Sequence, residues 1–132
     1  MSRVAIVLVK SLDQGIRIAV DQANSKEILS FIHQDDRYRK KFRHICNIIL
    51  EGLRNTELYD KEEPNHKCKG VRAMKFFKGQ ENARIYCKEV NIAGVCIIVM
   101  AGVLKQKKQT RLTHRELTII ERVGGYEYQE FV

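Results

Sequence analysis

The chain contains a single proline and no apolar run long enough to cross a bilayer. Its longest uninterrupted apolar stretch, Val95 to Ala101, falls far short of the ~20 residues that a spanning helix needs. One proline together with 44% apolar residues excludes a disordered or low-complexity chain and favours a compact fold. The start of the chain lacks the marks of a secretory signal: Lys10 interrupts the apolar stretch that follows Arg3, and no small-residue cleavage site comes after it. A cytoplasmic protein with no membrane segment is therefore expected. The four cysteines (Cys46, Cys68, Cys87 and Cys96) follow no regular spacing. Neither a disulfide framework nor a zinc site is expected from them, because His44 with Cys46 and His66 with Cys68 lack a second ligand pair at metal-binding spacing. Buried thiols, no metal and no cofactor are the expectation.

Acid is scarce in one half only. From Met1 to Pro64 there are eleven Lys/Arg and ten Asp/Glu, whereas from Asn65 to Arg115 there are twelve Lys/Arg and two Glu. A net of +1 against a net of +10 shows that the total of +8 is concentrated in the second half. Such asymmetry fits a polyanionic partner.

What is present reads as one α+β domain over 1–132, with a small antiparallel or mixed sheet, two helices in the first half and one near the end. Arg3 to Lys10 predicts a strand without clean alternation, hence an interior one. Asp13-Gln14-Gly15 predicts a turn into a second strand, Ile16 to Val20, so the chain opens with a hairpin at about 3–20. Asn24 or Ser25 is suited to cap a helix with a stripe of Ile28, Leu29 and Ile32. Tyr38, Phe42, Ile45, Ile49 and Leu53 recur at helical spacing and predict an amphipathic helix of about five turns, its many cations lying outside the stripe. Asn55 to Lys67 reads as a loop. Val71 to Phe77 predicts a strand, and Lys78 to Asn82 a turn. In the next strand Arg84, Tyr86 and Lys88 share one face and Ile85 and Cys87 the other. Asn91 to Gly94 turns into the apolar strand that ends near Leu104. A basic segment follows, and then Thr113-His114-Arg115-Glu116, a capping box for a helix striped by Leu117, Ile120 and Val123 and stopped at Gly124-Gly125. Tyr126 to Val132 carries no clear signal.

Two helices followed by a meander, with Asn82-Ala-Arg-Ile-Tyr86 opening its second strand and an apolar strand leading into Lys105-Gln-Lys-Lys-Gln109, resemble the RelE/ParE toxin superfamily, nearest its phage-derived, HigB-like branch. The resemblance covers roughly 26–123. It implies a single RelE-like toxin domain of a type II toxin–antitoxin system. The family's first helix usually follows a single strand, so the opening hairpin is a departure.

The resemblance also implies a cognate antitoxin protein as partner and ribosome-bound messenger RNA as substrate, cut by attack of the 2′-hydroxyl on its own phosphate. That reaction needs no metal; it needs cations over the phosphate and groups to take up and return a proton. Candidate catalytic residues are Arg84 as phosphate clamp, Lys75 across the hairpin as second cation, and His114, the residue type that ordinarily titrates nearest neutrality. Candidate nucleic-acid contacts are Lys105, Lys107, Lys108, Arg111, Lys88 and Tyr86, the last by stacking on a base. Each has a plainer use: Arg84 in an ion pair with Glu89 or Glu116, Tyr86 in packing, and His114 as a solvated residue at a helix start. The alternative function is a gyrase inhibitor of the ParE type, or a module of the same fold that binds nucleic acid without chemistry.

Overall fold

The opening apolar stretch forms β1 (Ser2–Lys10) and folds back as β2 (Ile16–Asp21). The turn between them is closed by side chains: the Ser11 hydroxyl donates to Asp13 Oδ1 at 2.7 Å, and the Gly15 amide donates to the same oxygen at 2.9 Å. The chain continues through α1 (Ser25–Ile32), α2 (Asp36–Leu50), a short β3 (Tyr59–Lys61) and a 3-10 turn at His66–Cys68. It then runs through β4 (Val71–Phe76), β5 (Ala83–Ile92), β6 (Val95–Leu104), α3 (His114–Gly124) and β7 (Glu127–Phe131). These elements come from a computed structural model that describes residues 2–107 and 111–132.

The fold is α+β, with a seven-stranded mixed sheet in the order β3-β4-β5-β6-β2-β1-β7. β3 to β6 form an antiparallel meander, whereas β2 runs parallel to β6 and β1 parallel to β7. β1 is interior, as its missing alternation predicts, with partners on both sides. Two strands exceed the expectation. β3 lies in the stretch read as a loop and is too short to show a period. β7 occupies the uninterpreted tail, and its pairing with β1 is a long-range event that no local pattern announces.

α1 and α2 cover one face of the sheet. Ile28, Phe31, Ile32, Tyr38, Ile45 and Ile49 pack there against Ile18, Val20, Met74, Phe76, Ile85, Ile98 and Met100. Phe31 meets Tyr38 and Phe76 edge-on at 5.2 Å between ring centroids, an arrangement that satisfies the ring quadrupoles. The α2 stripe is one residue too long as read. Asp35 caps the helix start through the Tyr38 amide, but the helix ends at Leu50, and Leu53 is 54% exposed beyond Gly52, whose φ of +73° breaks the helical path. At 15 residues the helix makes about four turns rather than five.

α3 covers part of the opposite face, with Ile120 and Val123 seated on Val71, Ala73, Tyr86, Ala101 and Leu104. Two glycines permit this approach. A Cβ at Gly102 would stand 3.1 Å from the Ile119 side chain, and one at Gly124 would stand 2.1 Å from the Lys67 carbonyl oxygen, a backbone clash. Cys68 and Cys87 are fully buried and Cys46 nearly so. Burial pushes the Cys46 thiol up to about 12.

Candidate nucleic-acid interface

The alternation of β5 sends Arg84, Tyr86 and Lys88 to the face that carries α3. Register pairs Lys75 with Arg84, Ala73 with Tyr86 and Leu104 with Arg84, which brings the start of β5 beneath the first turn of α3. Arg84 and Lys107 therefore lie on the same side of the sheet.

Ion pairs complete that corner. Arg84 Nη1 donates to Glu62 Oε1 at 3.1 Å, and the arginine side chain is 12% exposed. Glu62 reaches it because its backbone amide continues the β3–β4 pairing by donating to the Val71 carbonyl. Arg84 thus takes Glu62 rather than Glu89 or Glu116. Lys107 Nζ pairs with Glu116 Oε2 at 2.5 Å, with both side chains nearly buried. Half of the capping box forms: Thr113 Oγ1 accepts from the Glu116 amide at 3.2 Å, while the Glu116 side chain takes the Thr113 hydroxyl and Lys107 in place of the Thr113 amide. The Glu116 carboxylate accepts from the Thr113 hydroxyl through Oε1 and holds Lys107 through Oε2, which pins the end of the stretch after β6 to the helix start.

Tyr86 sits between these pairs. It is fully buried, so it packs under α3 and presents no ring for a base to stack on. Burial raises its hydroxyl pKa, and the Glu116 and Glu62 carboxylates raise it further. Among the described residues, its hydroxyl and the Nε of Arg84 are buried without a hydrogen-bond partner. Lys88 is also turned inward, donating to the Gly124 carbonyl at the end of α3, and burial lowers its pKa. Lys75 donates to the Thr56 carbonyl at 3.0 Å. His114 is exposed at the first position of α3, and its backbone carbonyl accepts from Thr118. Lys105 and Arg111 are exposed. Lys108 lies outside the described residues.

The linear charge count therefore overstates the bare positive charge of the second half. Arg72 pairs with Glu63 and Glu89, Arg84 with Glu62 and Lys107 with Glu116, while Glu81 is taken by Arg37. Acids from outside 65–115 supply three of those contacts.

Searches of protein families, curated proteins and solved structures found no match to this chain. The site has to be judged on its own geometry. That geometry adds residues which sequence reading passed over. Glu62 was hidden in a presumed loop. Arg115, counted among the cations and in the capping box but not as a contact, lines two clefts: one of about 570 Å³ with Lys105, Lys107 and Glu116, and one of about 480 Å³ along the other flank of α3.

Proposed function

We propose that this chain is the toxin component of a type II toxin–antitoxin system and acts as a metal-independent, ribosome-dependent endoribonuclease on messenger RNA. The observation that supports the reading is the Arg84–Glu62 ion pair with Lys75 opposite Arg84 on the neighbouring strand, on the face that carries α3, together with the exposure of Lys105, Arg111 and His114. In the reaction the 2′-oxygen forms a bond to phosphorus and the 5′-oxygen leaves, giving a 2′,3′-cyclic phosphate and a 5′-hydroxyl. Arg84, released from Glu62 by the incoming phosphate, stabilises the charge that builds on the phosphoryl oxygens. The freed Glu62 carboxylate accepts the 2′-proton, and His114 is the group suited to protonate the leaving oxygen. The protein acts in the cytoplasm, where a cognate antitoxin blocks it by laying an acidic segment over the basic surface.

A second reading has its own support. Arg84 and Lys107 are each neutralised by a carboxylate, and the exposed Lys105, Arg111 and Arg115 suffice to hold a phosphate backbone without chemistry. Under it the chain is a gyrase inhibitor or a plain nucleic-acid-binding module.

Expression in cells, with and without Arg84→Ala, separates the two. The nuclease reading expects growth arrest with messages cut at codon positions, both lost in the variant. Arrest with intact messages and damaged DNA would overturn it in favour of gyrase inhibition.

A further inference from the structure

β2 and β6 are the one neighbouring parallel pair at the middle of the sheet, and the chain leaves them in opposite directions. From β2 it passes to α1 on one face; from β6 it passes to α3 on the other. A crevice must open where such paths diverge, beyond the carboxyl ends of the strands, and in open α/β sheets that is where ligands bind. Here it is the cleft of about 480 Å³ along α3.

Its floor is built by a strand irregularity. Tyr86 pairs with Gly102 and Cys87 with Met100, so Ala101 has no partner on β5. The Asn24 side chain, which makes no cap bond to its own helix, donates instead to the Ala101 carbonyl at 2.8 Å and ties the two strand ends together. The wall is α3, with Arg115, Thr118 and Arg122 exposed along it. Neither arginine has an ion-pair partner among the described residues, unlike Arg3, Arg72 and Arg84 elsewhere on the sheet. Glu27 is the one carboxylate in the lining.

We infer that this cleft binds the phosphodiester backbone of single-stranded RNA. Arg115 and Arg122 lie seven residues apart on one side of the helix, about 10 Å along its axis, too far for both to clamp one small anion and within reach of two phosphates of one strand. Arg115 also lines the cleft beside Lys105, so a strand held here leads on towards Arg84. The inference rests on the nucleic-acid part of the reading above and not on its cleavage chemistry.

The test is a fluorescence-anisotropy titration of the full chain with a labelled 2′-O-methyl oligouridylate, which binds without being cut, at several salt concentrations. Arg122→Gln should weaken binding about threefold to tenfold and shrink the salt slope by about 0.7, the contribution of one single-strand phosphate contact. The Arg115→Gln/Arg122→Gln double variant should shrink the slope by about twice that, and Glu27→Gln should tighten binding. Three results would overturn the inference: a wild type that does not bind, a double variant that binds normally, or an equal loss from Arg43→Gln on the opposite face. A double variant that binds normally beside an Arg84-dependent cleavage in cells would remove the cleft and leave the nuclease. Loss of binding in the double variant with no cleavage by the wild type would do the reverse.

Discussion

On the face covered by α1 and α2, Phe31, Tyr38, Phe76 and Phe77 interlock with aliphatic side chains from the sheet and two helices, and the one polar cluster there, Arg72 and the Tyr59 hydroxyl on Glu89, stands at the edge of that core. On the face that carries α3, one helix covers only part of the sheet. The buried groups there include Asp21, Glu116 and the Tyr86 hydroxyl, and the carboxylates of the Arg3–Asp21 and Lys107–Glu116 pairs are buried where the first face has rings. The first face obtains most of its stability from area removed from water, a term that does not titrate with pH. The second holds charge in fixed positions at the expense of desolvation.

Substitutions on the two faces should therefore fail in different ways. Phe76→Ala removes a fully buried ring at the centre of the aromatic cluster and should destabilise the fold by about 3–5 kcal/mol in urea titrations, with little dependence on pH. A loss below about 1 kcal/mol would mean that the first face is not the stabilising one.

Asp21→Asn should cost somewhat less, about 3 kcal/mol. Oδ2, which accepts from Arg3 Nε and the Tyr128 hydroxyl at 2.6 and 2.5 Å, survives as a neutral oxygen. Arg3 loses its counter-charge, however, and the amide NH2 replaces the oxygen that accepts from Arg3 Nη2 and the Asn24 amide. Here pH dependence is the diagnostic. Burial alone raises the Asp21 pKa, but the hydrogen bonds from Arg3 and Tyr128 outweigh it and hold the value below the usual carboxylate range. A depressed folded-state pKa gives stability that is full above the unfolded value of about 4 and is lost as pH falls through the folded one. The wild type should lose stability steadily below about pH 4, and Asp21→Asn should flatten that part of the profile; parallel profiles would count against the pair.

Tyr86→Phe removes a buried hydroxyl that has no protein partner, and it should leave stability unchanged or raise it by about 1 kcal/mol. A clear loss would show that the hydroxyl is satisfied after all. The smallest effect belongs to Leu53→Ser. This residue continues the α2 stripe on paper but is exposed past the helix end, and the change should stay within about 0.5 kcal/mol.

How far local pattern reaches is clear from these residues. The hairpin, both early helices, the meander and the α3 capping box follow from periodicities of two and 3.6 residues and from turn and cap chemistry, all set by near neighbours. Leu53 shows the limit even there: a stripe says which residues share a face, but Gly52 decides where the helix stops. The shared face of Arg84, Tyr86 and Lys88 was readable from alternation. Their burial was not, because it depends on α3 arriving from thirty residues further on.

The sequence by itself determined that this is an α+β domain whose cations crowd into the stretch from Asn65 to Arg115, since composition and alternation are properties of the chain before it folds. Only the tertiary structure decided which of those cations stay bare. Arg84 meets Glu62 across 22 positions, whereas Arg115 meets no carboxylate among the described residues. Ion pairs form between groups that strand order brings together, so charge counted along a chain and charge displayed on a surface are different quantities.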